Sequence, residues 1–273
     1  MSQLASRRFR LLWVIGLAVA AVAIVLGTVL APDGPAPGMA ETPAVDIPAV
    51  DINGAGGTLP VGSVLPSAQY CAAYADGVGS DREAVPENRD ANRSVPTDLR
   101  LPPWPDFWDP SANRLFVPRI DGQYTGTTDQ IIVWGACKWG ISTDVVRAMA
   151  VAESSWRQDK VGDYVEDSAR CVGGHAVPCP TSFGLLQLKH TTRPGSWPDS
   201  QQHTAFNVDY SLAVLRGCFE GWVSYLKENT DYAAGDLSGC VGWHYSGEWQ
   251  DDQARAYVQR VQQWLGEKPW THW

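Results

Sequence analysis

Ile141-Ser-Thr-Asp-Val-Val-Arg-Ala-Met-Ala-Val-Ala-Glu153-Ser154-Ser-Trp156 is the stretch whose reading decides the fold. Ser142 or Thr143 can cap a helix start, and Asp144 falls in the first turn, where the helix dipole favours an anion. Val145, Met149, Ala152 and Trp156 recur at helical spacing, with Val146, Ala150 and Glu153 one step round the same flank. The spacing predicts an amphipathic helix whose apolar face ends in a carboxyl group. A carboxyl on such a face is partly desolvated, which raises its pKa, and a carboxyl still protonated near neutral pH can act as a general acid. A glutamate that reaches water at the helix edge is the plainer alternative.

Outward from this helix the pattern stays helical through residues 127–273. Residues 128–139 form one helix, closed by Gly140 as a C-cap. Residues 157–180 read as a polar loop bracketed by cysteines, and residues 183–189 as a short helix. A long helix is expected from Ala205 to Glu228, and two more over 236–246 and 251–265. No run of alternating β-branched residues interrupts this half, so the expected fold class is mainly α.

Upstream, residues 66–126 read as an irregular arm, with a short helix near Cys71 and too many prolines after Leu101 for further regular structure. Its Trp104, Phe107 and Trp108 are expected to pack on the domain rather than line a ligand groove. Residues 32–65 are rich in Pro, Ala, Gly and Asp and repeat Pro-Ala-Val-Asp-Ile, the composition of a disordered linker without a core of its own. Residues 1–31 comprise a basic stub, with Arg7, Arg8 and Arg10, and an uncharged span from Leu11 to Ala31. As a helix that span measures about 31 Å, enough to cross a bilayer core. The arginines precede it, so it is expected to be a single-pass transmembrane signal-anchor with the rest of the chain outside. Secretion after signal cleavage is the alternative.

The net charge is −9, and setting aside the three positive charges of Arg7, Arg8 and Arg10 leaves −12 for the part expected outside. Such acidity argues against nucleic acid as a partner. The 6 cysteines make an even number in a chain that reads as exported, so disulfides are the natural expectation. Cys171 and Cys179 could close their loop on themselves. A zinc site with His175 and His190 is the rival, but no C-x-x-C pair supports it, and no cofactor is expected.

Four motifs follow in order: Glu153-Ser154, Gly184-Leu-Leu-Gln187, Asn207 within the long helix, and Trp243-His244-Tyr245-Ser-Gly247. Gly184 lets something approach the backbone closely. Gln187 and Asn207 are amides suited to a polyhydroxylated ligand, although Asn207 could merely cap its helix. Trp243 and Trp249 flank the last motif and are the candidates for sugar platforms, whereas Trp134, Trp139, Trp222 and Trp264 sit within apolar faces and read as core. Ser154 reads as a residue orienting Glu153 or the substrate.

Together these motifs resemble the catalytic domain of the soluble lytic transglycosylases, a lysozyme-like family related to goose-type lysozyme, over roughly residues 128–265. The family carries Glu-Ser, Gly-Leu-Met-Gln, a downstream Asn and Ala-Tyr-Asn-x-Gly. Here the interval between the first two motifs is lengthened by the cysteine-bracketed loop. In the last motif His244 stands where the family has its tyrosine, so either His244 or Tyr245 would reach Glu153. The resemblance implies a lysozyme-like helical domain that binds peptidoglycan glycan strands. It implies cleavage of the bond between N-acetylmuramic acid and N-acetylglucosamine, with closure of a 1,6-anhydro ring. Glu153 would be the catalytic acid and then base, and Ser154, Gly184, Gln187, Asn207, Trp243, His244 and Tyr245 would bind substrate. One alternative is a hydrolytic muramidase that draws a second carboxylate from the 157–167 loop, at Asp163, Glu166 or Asp167. Another is an inactive peptidoglycan-binding module.

Overall fold

The computed structural model describes residues 57–273. The expected anchor, and the linker as far as residue 56, lie outside them. Among the described residues no helix is long and apolar enough to cross a membrane. The helices are α1 (Ala68–Val78), α2 (Arg89–Asn92), α3 (Thr128–Trp139), α4 (Thr143–Ser154), α5 (Asp199–Gln202), α6 (Thr204–Phe219), α7 (Leu237–Ser246) and α8 (Asp252–Glu267). The strands β1 (Val161–Val165), β2 (Cys179–Phe183) and β3 (Leu188–Lys189) form one antiparallel sheet in that order. The protein is mainly helical, as its sequence pattern implies.

Helix α6 is the axis of the core. Every residue in it is buried, the polar Asn207, Asp209 and Arg216 included, so it has neighbours all round. It supports α3, which begins with a reciprocal capping box between Thr127 and Gln130 and ends at Gly140 in the left-handed conformation, φ 59°. The one buried cation of α3, Lys138, is matched by Asp209 of α6 at 2.8 Å, and Asp209 also accepts from Trp139 Nε1 at 2.7 Å. Removing one partner of such a buried pair costs about 3–5 kcal/mol.

Three disulfides tie the elements together: Cys71–Cys137 joins α1 to α3, Cys218–Cys240 joins α6 to α7, and Cys171–Cys179 closes its own loop. The first, 66 residues apart in sequence, restricts the unfolded chain by about 4 kcal/mol on loop entropy. The third joins the thiols that the zinc arrangement would have needed.

Several expected boundaries move. Residues 58–65, read as the end of the linker, lie along the domain instead. Buried Arg216 donates to the carbonyls of Leu59 at 2.8 Å and Pro60 at 2.7 Å, and Thr58 Oγ1 accepts from the backbone N–H of Ser142. Residues 66–126 fold with the helices that follow them. Asn88 of this arm, for example, donates to the Trp156 carbonyl and accepts from the N–H of Gln158. The long helix stops at Phe219, because Gly221 at φ 78° turns the chain and residues Ser224–Glu228 form a separate 3₁₀ turn.

The largest departure is the sheet, which occupies the expected 157–180 loop and the expected 183–189 helix. Gly184 at φ 82° and Gln187 at φ 45° prevent a helix there. The buried Leu185 and Leu186 fill the core from a turn and Leu188 from β3, not from a helical face.

Candidate active site

Helix α4 ends abruptly: Ser155 and Trp156 both take positive φ, 54° and 68°. Glu153 thus stands in the last helical turn, where the dipole disfavours an anion. Its side chain is only 8% exposed, yet it opens onto a cleft of about 900 Å³. Burial pushes its pKa up from 4.5 to about 7, with the charge of Asp163 adding to the rise and Tyr257 and Arg260 opposing it.

The last motif resolves in favour of histidine at the carboxyl. His244 Nε2 lies 3.5 Å from Glu153 Oε1 and 3.3 Å from the Leu186 carbonyl. A carbonyl only accepts, so Nε2 carries the proton. Burial, and secondarily the charge of Arg193, lowers the His244 pKa to about 4, so the ring is neutral at neutral pH. Tyr245 lines the cleft instead, stacked on Tyr257 at 4.6 Å.

Tyr257, from α8, is the residue that the motifs did not reveal. It is fully buried, and its hydroxyl faces Glu153 closely enough to favour the charged carboxylate, although it makes no hydrogen bond of regular geometry. Its only sequence signal is membership of the apolar stripe Ala254, Tyr257 and Val261, which reads as core.

Across the cleft lining, β1 carries Asp163. Burial alone would raise its pKa, but a hydrogen bond from Ser182 Oγ at 2.7 Å and the Lys189 ammonium at 3.0 Å hold it below the usual carboxylate value. Gln187 crosses from the other side of the sheet's edge and spends its amide N–H groups on the carbonyls of Lys160 and Gly184. A side chain on Gly162 would meet Gln187 Oε1 at 2.5 Å, so it would have to displace the end of the Gln187 side chain.

The remaining motif residues lie beneath the cleft. Asn207 is fully buried, and it accepts from Leu186 N–H at 2.8 Å and donates to the carbonyls of Phe183 at 2.7 Å and Ser200 at 3.0 Å. It holds the turn that presents Gln187 and does not face the ligand space. Gly184 explains itself in the same way: a Cβ there would meet Asn207 Nδ2 at 2.3 Å. Ser154 is buried and donates to the Ala150 carbonyl while accepting from Arg157 N–H, which stabilises the helix end rather than Glu153.

The aromatic residues divide differently from expectation. Trp243 is buried, but one edge lines the cleft, and its Nε1 donates to Tyr225 Oη at 2.6 Å. Trp249 is core, packed edge-on against Tyr232 at 4.8 Å. Trp104 and Trp108 are core, as the arm's composition implied, but Phe107 between them lines the cleft. No protein-family model, curated protein or solved structure matches the chain, so the case for a function rests on the site itself and on the motifs.

Proposed function

We propose that the protein is a lytic transglycosylase of lysozyme-like type that cleaves peptidoglycan glycan strands. The observation that carries this reading is Glu153, a carboxyl half-protonated near pH 7, set in the wall of an open cleft. In the first step the protonated Glu153 donates to the glycosidic oxygen as the bond to the muramoyl C1 breaks. In the second, the resulting carboxylate takes the proton of the muramoyl C6 hydroxyl while that oxygen bonds to C1, closing the 1,6-anhydro ring. The proton that left Glu153 is thereby restored, and no water is consumed. Neutral His244 is suited to both steps. It bounds the carboxyl without fixing it as an anion, which a protonated imidazole would do.

The sequence motifs supply the substrate class, and the disulfides support an oxidising compartment outside the cytoplasm. A membrane anchor within residues 1–31 would hold the domain at the wall.

A hydrolytic reading has one observation in its favour: Asp163 lies in the same cleft and is held ionised. An ionised second carboxylate is what a water-activating or covalent glycosidase needs. The test is mass spectrometry of sugars released from peptidoglycan by the full chain with its disulfides intact. The expected products are 1,6-anhydro-ended and vanish with Glu153→Gln. Reducing ends would transfer the assignment to a muramidase. Binding without soluble product would leave a wall-binding module.

A further inference from the structure

Arg193 follows β3 and lies on the cleft wall. Among the described residues its guanidinium makes one hydrogen bond, from Nη1 to the Thr192 carbonyl at 3.2 Å. Its guanidinium carbon stands over the Trp243 ring, 5.3 Å from the ring centre. The charges that bear on it are those of the Tyr210 and Tyr225 hydroxyls, and its own charge reaches the His244 ring. A guanidinium has five N–H donors and keeps its charge in proteins, so most of its donors are unused.

The charge balance of the cleft makes this unusual. Asp163 and Lys189 neutralise each other at 3.0 Å. Arg260 acts on Glu153, whose charge it favours. Arg193 is left uncompensated in a protein of net charge −9, where carboxylates to pair with it are plentiful. It is also close to the chemistry, since its charge disfavours protonation of His244, which touches Glu153. An arginine fork held over an indole can bind a planar anion through two parallel hydrogen bonds.

We propose that Arg193 is a carboxylate-binding subsite that recognises an acidic substituent of the glycan beside the cleaved bond. The carboxylate can come from the lactyl group of a muramic acid stripped of its peptide, or from a stem peptide. The proposal rests on the peptidoglycan reading of the cleft and gives it a substrate preference.

The experiment uses the full chain with Glu153→Gln, so that ligands bind without turnover. Calorimetry would compare four tetrasaccharides of alternating N-acetylglucosamine and N-acetylmuramic acid: peptide-free with free lactyl carboxylates, the same with lactyl amides, stem-bearing with free carboxylates, and stem-bearing with those carboxylates amidated. Amidation is expected to weaken binding about tenfold within one pair, the loss of a charge-assisted contact, and that pair identifies the source. Adding Arg193→Gln should bring the two members of that pair to equal affinity. Equal affinity within both pairs before any change at Arg193 would overturn the subsite while leaving the glycan reading intact. Discrimination that persists in Arg193→Gln would overturn it too. If none of the four binds and the unmodified protein cleaves no peptidoglycan, the glycan reading itself falls and takes the subsite with it. Because the ligand comparison needs no substitution at Arg193, a variant that failed to fold would not obscure it.

Discussion

Two carboxyl groups line one cleft and are driven in opposite directions. Glu153, at the end of α4, is enclosed by His244 and Tyr257 and is pushed up to about 7 by burial. Asp163, on β1, is 54% exposed and receives a hydroxyl and an ammonium, which hold it ionised. Side-chain chemistry is nearly the same in both; what differs is the wall that holds each one. A helix end with an apolar flank removes water, and the charge of Arg260 offsets that only in part, whereas a sheet edge brings polar partners from neighbouring strands. Carboxyls separated in this way are the usual basis for dividing acid from base roles.

The substitution with the largest expected effect is Glu153→Gln. Removing the proton donor should lower glycan cleavage by about a thousandfold or more, measured as soluble muropeptide release. The same change should alter stability with a definite sign. Because the folded pKa is raised, the protonated carboxyl favours the fold fully below pH 4.5, and that contribution is lost as pH rises through about 7. An amide has no such loss, so Glu153→Gln should be the more stable protein above pH 7, by up to about 3 kcal/mol. Equal thermal unfolding of the two proteins at pH 8 would mean that Glu153 is not desolvated, and the contrast between the walls would fail.

Tyr257→Phe sharpens the contrast from the helical side. The hydroxyl favours the charged form of Glu153, so its removal should raise the pKa and carry the alkaline limb of kcat/KM to higher pH. Activity below pH 6 should change only a few-fold, the scale of one hydrogen bond. A limb that stayed in place would exclude Tyr257 from the set of groups that tune the acid.

How much of this was legible in the sequence followed from how local each signal was. Helix α3 could be read from its Gly140 cap and α4 from its helical spacing, although Ser142 at its start makes no side-chain capping bond, and Glu153 was marked by its place on an apolar flank. The sheet was not legible. All five residues of β2 are buried, which leaves no alternation to detect, and the leucines around Gly184 imitate a helical face. The choice between His244 and Tyr245 turned on rotation about α7, which one residue of register decides. Tyr257 reaches Glu153 only because α8 packs on α4, a pairing that no short motif records. Asn207 carried the reverse lesson: an amide read as a ligand for sugar serves the backbone of the turn next to it.

The finest discrimination comes from Asp163→Asn. The asparagine keeps the shape and can still accept from Ser182, so the sheet wall should persist while its charge disappears. The Asp163 charge raises the Glu153 pKa, so its loss should move the alkaline limb to lower pH, opposite to the shift from Tyr257→Phe. If Asp163 only tunes Glu153, cleavage at pH 5, where Glu153 stays protonated in either protein, should fall by less than about tenfold. If it is the second carboxylate of a hydrolase, the fall at pH 5 should be about a hundredfold or more, because no shift of the acid's pKa replaces a missing base or nucleophile. The rate at pH 5 and the direction of the limb thus answer separate questions: one says what Asp163 does to substrate, the other what it does to Glu153.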